Sequence, residues 1–320
     1  MTRFLTGTAL GAVATWLAWV PLCQYWLPHA NGVHWFLDQA YARKDQALAT
    51  TTAPRVVLVG ASSVAYGFRA NVMARELDRP VINYAGTAAL DIDFLLWRLV
   101  PNLHAGDTVV LPLEHAYYGE SSRRSALCLR AMSAIDPQTG GQLVPWLGSR
   151  VAARTDPAWL LASAPVPGAV RREINEEVSP LGDYVNNQPA APGTAFAKNK
   201  IERLAKALQA PPSTPGASPL WEHLAEPIAR LQTNGVKVLA AQANYFADPA
   251  YDTPIWQEFF GEIAQSWDRM NVPMVGKPSD GFFPEEKMWD SRSHVVESAS
   301  EDRAIHFAAQ LLPLLPSPQD

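Results

Sequence analysis

The chain has 320 residues, 48% of them hydrophobic and 18% charged, which is enough apolar content for one large domain with a sizeable core. Its net charge is −5 and its basic runs are no longer than pairs such as Arg123-Arg124 and Arg171-Arg172, which excludes the electrostatic footprint of a nucleic-acid-binding protein. The two cysteines, Cys23 and Cys128, are distant in sequence, which excludes a disulfide framework and any zinc or redox spacing.

In chain order the first element is the run Phe4 to Leu27, which contains no charged residue. A membrane-spanning helix needs about 20 apolar residues. Trp16, Trp19, Tyr25 and Trp26 add aromatic rings of the kind found at membrane interfaces. A cleaved leader has a shorter apolar region and a small-residue cleavage site. The sequence Trp26-Leu27-Pro28-His29-Ala30 offers no such site. An uncleaved single-span anchor over 1–28 is therefore expected ahead of a cleaved leader or a buried core helix. Arg3 before the run, and Arg43 and Lys44 after it, leave its orientation nearly balanced by charge. Residues 29–50 read as a juxtamembrane linker.

The body, 51–320, reads as an α/β domain. Arg55-Val-Val-Leu-Val-Gly60 is a short β-branched run closed by glycine, the pattern of a buried strand. A helix over Ala70 to Leu77 and a strand over Val81 to Tyr84 follow. Asp91 to Leu103 carries Ile92, Leu95, Leu96, Leu99 and Leu103 at helical spacing, with Pro101 disturbing the last turn. Thr108 to Leu113 is a third strand. Such alternation of short, continuously apolar strands with helices predicts a parallel sheet covered on both faces. From about 120 to 219, prolines break the pattern, and the region reads as an insertion of helices and loops. The alternation then resumes: helix Leu220 to Leu231, strand Val236 to Ala241, helix Tyr251 to Met270, strand Val272 to Val275, helix Glu297 to Leu312. The sum is a three-layer α/β sandwich on a parallel sheet of about five strands.

Two constellations carry chemistry. In Gly60-Ala61-Ser62-Ser63, small residues follow a strand at a sharp turn into a helix. Ligands of open α/β sheets bind beyond the carboxyl ends of the strands, which puts Ser62 at the mouth of the sheet. Taken alone, this turn reads more readily as a helix cap made by Ser62 or Ser63. The second constellation is Asp290-Ser-Arg-Ser-His294, ahead of the last helix. A serine nucleophile needs a base, and the base needs an acidic orienter. Taken alone, this segment also reads as a cap, by Asp290 or Ser293, beside a surface histidine. Together the two constellations fall on one rim of the sheet.

The run Gly60-Ala61-Ser62-Ser63-Val64-Ala65-Tyr66-Gly67-Phe68 resembles the first block of the SGNH (GDSL-like) hydrolases. The likeness is to an envelope branch in which Gly-x-Ser-(Ser/Asn)-x-x-(Phe/Tyr)-Gly replaces Gly-Asp-Ser. Val81 to Gly86 resembles the second block, Gly106 to Glu114 the strand after it, and Asp290 to Val295 the terminal Asp…His block. The third block of that family usually supplies an oxyanion asparagine; here the strand ends Leu113-Glu114-His115. The spacing from Asp290 to His294 is one residue longer than the usual Asp-x-x-His, and no glycine follows the histidine.

The resemblance implies a flavodoxin-like fold and a Ser62–His294–Asp290 triad. It also implies an oxyanion site from the N–H groups of Ser62 and Gly86, and no metal or organic cofactor; Glu114, standing in place of the family's asparagine, and Asn244, after the fourth strand and out of the family order, are expected to line the same cavity. The implied activity is that of an esterase or O-acyltransferase on an acylated cell-envelope polysaccharide. The body would then lie in the periplasm or outside the cell, anchored in the inner membrane, with a membrane-bound O-acyltransferase as a candidate partner. The alternative is a catalytically inactive subunit that keeps the fold for binding or assembly in such a membrane complex.

Overall fold

The computed structural model describes residues 39–88, 90–119, 177–189, 194–205 and 214–316, together with Gly11, Ala14, Ala191, Ala210 and Pro211. The chain divides into two units, 40–123 with 175–320 and 1–39 with 124–174, and all of the described residues except Gly11, Ala14 and Gln39 belong to the first. The expected anchor and most of the expected insertion thus lie outside the described residues. Among the described residues, no helix is long and apolar enough to cross a membrane.

Helix α1 spans Ala42–Thr50, strand β1 Val56–Leu58, helix α2 Ser62–Gly67, helix α3 Ala70–Leu77 and strand β2 Val81–Asn83. Helix α4, Ile92–Leu99, and strand β3, Thr108–Leu113, follow. Strands β4, Glu177–Val178, and β5, Tyr184–Val185, form a small antiparallel pair, and helix α5 covers Ala195–Ala205. The alternation then resumes with α6, Leu220–Thr233; β6, Lys237–Gln242; β7, Tyr245–Phe246; α7, Pro254–Arg269; β8, Met274–Val275; β9, Phe282–Phe283; and α8, Glu297–Leu311.

The main sheet has five parallel strands in the order β2-β1-β3-β6-β8. Every residue of β1, β2 and β3 is buried, as expected of strands covered on both faces. Right-handed crossovers put the helices after β1 on one face and those after β2, β3 and β6 on the other, because the chain travels in opposite directions from β1. The contacts agree: α8 packs on α2 and α3, and α4 packs on α6. Pro112 lies inside central β3 and has no N–H to donate. Val110 accepts from Val59 N–H at 2.9 Å, so Pro112, two residues on, faces the same side, and the β1–β3 pairing stops at Leu58–Val110.

Residues 42–50, read from sequence as part of a linker, form a helix packed on β2. The physical reason is polar as well as apolar. Ala47 and Leu48 are buried, and Lys44 Nζ donates to Asn83 O at 2.8 Å and to Gly182 O. Tyr84 Oη donates to Asp45 Oδ1 at 2.6 Å, and Arg98 Nε donates to Tyr84 Oη at 2.9 Å. The helices at 91–103 and 251–270 are shorter than expected: 3₁₀ turns replace the end of one at Val100–Asn102 and the start of the other at Pro249–Asp252.

Candidate active site

Ser62 is the first residue of α2, immediately after the turn that ends β1. The N-cap is Ala61, with extended backbone and no side-chain cap, so neither serine serves as the cap. Ala61 O instead accepts from Val64 and Ala65 N–H, both at 3.1 Å. This geometry buries Ser63 completely and leaves Ser62 partly open. Gly67 closes the helix where a side chain would not fit. A Cβ there would fall 1.7 Å from Asn244 Nδ2.

His294 approaches from the loop before α8, whose N-cap is Val296, again without a side-chain cap. The loop is a tight reversal. Trp289 N–H donates to His294 O at 2.8 Å, and Met288 bridges Val295. Ser291 Oγ accepts from the N–H groups of Ser293 and His294 at 3.4 and 3.2 Å. The residue by which this segment exceeds the usual spacing is absorbed in that hydroxyl-centred turn.

The loop closes on the turn. His294 Nε2 lies 2.8 Å from Ser62 Oγ, and His294 Nδ1 lies 2.7 Å from Asp290 Oδ1. An ionised Asp290 can only accept, so the ring carries its proton on Nδ1 and Nε2 accepts from the Ser62 hydroxyl. Burial pushes the Asp290 carboxyl up. The hydrogen bond and charge of His294, the Ser291 hydroxyl and Arg203 outweigh it and hold the carboxyl below its usual range. The Tyr66 ring sits 4.9 Å from the imidazole and limits its rotation.

No family model matches the chain, and no curated protein matches it. Among solved structures it is similar to the crystal structure of protein YxiM from Bacillus subtilis. The identity is 9% and the TM-score 0.40, over 82% of this chain and 57% of that one. The chain thus spans a little over half the length of that structure.

Of the three residues expected to line the oxyanion site, Gly86 and Asn244 are placed elsewhere. Gly86 N–H does not face the cavity: it donates to Gly60 O at 3.0 Å, extending the β1–β2 ladder past the ends of both strands. Its Cα is also closed off by the Tyr41 hydroxyl, which a Cβ would approach to 2.3 Å. Asn244 is fully buried and donates to Ser63 O at 3.3 Å, so it braces the serine turn from behind and does not reach the rim. Glu114 ends β3 beside the serine turn, where its Oε1 accepts from Ser63 N–H at 3.3 Å. That bond occupies an N–H adjacent to Ser62. The N–H of Ser62 itself, first in its helix, has no intrahelical partner to satisfy it.

Sequence reasoning missed Arg203. It comes from α5, in the stretch read as an insertion, and donates to Asp290 O at 2.9 Å, with Oδ2 at 3.9 Å. Arg292, inside the terminal constellation, donates to Leu204 O at 2.7 Å and pairs with Asp248. A lone arginine on a weakly patterned helix carries no signal of such a partner. Among the described residues there is no cluster of side chains arranged to hold a metal ion.

Proposed function

We propose that the chain is a serine esterase or O-acyltransferase of the SGNH type, acting on an acylated envelope polysaccharide. The observation that carries this reading is the continuous hydrogen-bond chain Ser62–His294–Asp290, with links of 2.8 and 2.7 Å. Ser62 Oγ attacks the acyl carbonyl while His294 Nε2 takes its proton. Collapse of the tetrahedral intermediate breaks the ester bond, and the leaving alkoxide receives that proton from His294. Water, or an acceptor hydroxyl, then removes the acyl group by the same steps in reverse order of partners. Asp290 keeps the imidazole in the productive tautomer and balances its transient charge.

The Ser62 N–H is the oxyanion donor that remains once the family's asparagine is missing and Gly86 N–H is committed to Gly60 O, and each such donor lost costs about 10²–10³ in rate. A slow hydrolase, or an acyltransferase that waits for its acceptor, follows from that. The envelope location, the anchor and the acyltransferase partner are parts of the same proposal, supported by the uncharged run Phe4 to Leu27. The test is hydrolysis of p-nitrophenyl acetate by the full-length chain. Turnover lost in Ser62→Ala and His294→Ala supports the reading, while equal background rates in all three proteins contradict it.

A second reading is favoured by the same rim. With Gly86 N–H committed to Gly60 and a carboxylate at Glu114, the domain resembles a scaffold whose pocket is better suited to neutral or cationic groups than to an oxyanion. In that reading the chain is a non-catalytic binding or assembly subunit, and both mutants bind the same partners as wild type.

A further inference from the structure

The nucleophile and its base are 232 positions apart, and something must hold their two segments in register to a few tenths of an ångström. We propose that Asn187 is the positioning residue that does so; the proposal rests on the hydrolase reading of Ser62 and His294. Asn187 follows β5 and is fully buried. Its Nδ2 donates to Tyr66 O at 3.3 Å and to Val295 O at 2.7 Å. Tyr66 lies on α2, whose first residue is Ser62, and Val295 directly follows His294. One amide group therefore bridges the two segments that carry the reacting atoms.

The chemistry selects asparagine. Two carbonyls must be met by two N–H donors on one atom, and the remaining oxygen must accept. Arg69 supplies that last bond, donating from Nη2 to Asn187 Oδ1 at 2.5 Å, while its Nη1 donates to Tyr184 O at 2.9 Å. The guanidinium thus fixes which way the amide points. Tyr66 lies in the last turn of α2, so the bond to its carbonyl locates the end of the helix that begins at Ser62. The main chain adds a third tie, Glu297 N–H to Asn187 O at 3.1 Å, which holds the start of α8. Asn186, in the left-handed region at φ 77°, turns the chain so that the following side chain faces inward, a conformation asparagine tolerates better than most residues. Aspartate would present a carboxylate to two carbonyls, and glutamine would overshoot both.

The experiment compares full-length wild type, Asn187→Ala and Asn187→Ser by two readouts. The first is the rate of labelling by a fluorophosphonate across pH. The second is the proton resonance of the His294 Nδ1–H shared with Asp290. The expected result is folded variants whose labelling is slower by about 10²-fold in Asn187→Ala, the scale of a displacement of about 1 Å at a reacting centre. The pH midpoint of labelling should move and the resonance should broaden or shift. Asn187→Ser, which retains one donor, should recover part of each. Folded variants with wild-type rate, midpoint and resonance overturn the proposal. If Asn187→Ala does not fold, Asn187→Ser is read by the same outcomes. If wild type itself does not label, the hydrolase reading fails separately. The resonance then decides: its loss in the variants upholds the positioning role, and its persistence removes it.

Discussion

At Ser62, a single placement separates a helix cap from a nucleophile. Both constellations read more readily as caps when taken one at a time, and the structure assigns both N-cap positions to apolar residues, Ala61 and Val296. The two polar segments are then left facing each other. The proximity of Ser62, Asp290 and His294 was legible because their residue types and chain order match the pattern of a hydrogen-bonded triad. Gly86 misled because a glycine after a strand signals an exposed N–H only where the ladder stops, and here it runs one bond further. Asn244 misled because its position after β6 says nothing about which side of the turn it supports. At this scale the account predicts that Asp290→Asn leaves the fold intact and lowers kcat by about 10⁴-fold. The amide would donate to Nδ1, leaving the proton on Nε2, where it blocks acceptance from Ser62. Steady-state kinetics alongside a melting curve checks this, and an unchanged kcat would rule Asp290 out as the orienter.

Among the elements, the strands were the easiest to read, since β1, β2, β3, β6 and β8 are short apolar runs punctuated by glycine or proline. Helix α1 was not, because its stretch pairs Arg43 and Lys44 with Asp45 and looks like solvated linker. Its docking depends on burying Lys44 against two carbonyls, an arrangement that local pattern does not announce. Burial lowers the Lys44 pKa to about 7, with Asp183 and Asp45 opposing the shift. Between pH 7 and the ordinary value of 10.5, the unfolded chain holds a proton at Lys44 that the folded chain has released. Stability contributed by this group therefore rises with pH across that window. Thermal melts of wild type and Lys44→Met from pH 6.5 to 10 should show wild type gaining on the variant as pH rises. A difference that is constant with pH would place the shift elsewhere. The β4–β5 pair and α5 were hidden for a related reason: they bring in Asn187, just after β5, and Arg203 through individual polar side chains and not through any periodic face.

For the whole molecule, the order β2-β1-β3-β6-β8 has its change of direction between β1 and β3, and ligands of such sheets bind at that reversal. Ser62 follows β1 and Glu114 follows β3, so the sheet itself focuses the site there. The alternation of elements made this architecture readable from the sequence. The connection through 120–219 was not, because proline-broken segments carry neither helical nor strand period. Anchoring is a separate claim about the full chain. If the run Phe4 to Leu27 spans a bilayer, the full-length protein should sediment with membranes and resist alkaline carbonate extraction. Recovery in the carbonate supernatant would contradict it.

The central claim is that Ser62 is a nucleophile activated by His294. The most direct measurement is intact-mass and peptide analysis of the full-length chain after exposure to a fluorophosphonate probe. The account predicts a single phosphonyl adduct on the peptide containing Ser62, absent in Ser62→Ala and strongly slowed in His294→Ala. Absence of the adduct from folded wild type, or an adduct that persists in Ser62→Ala, would contradict it.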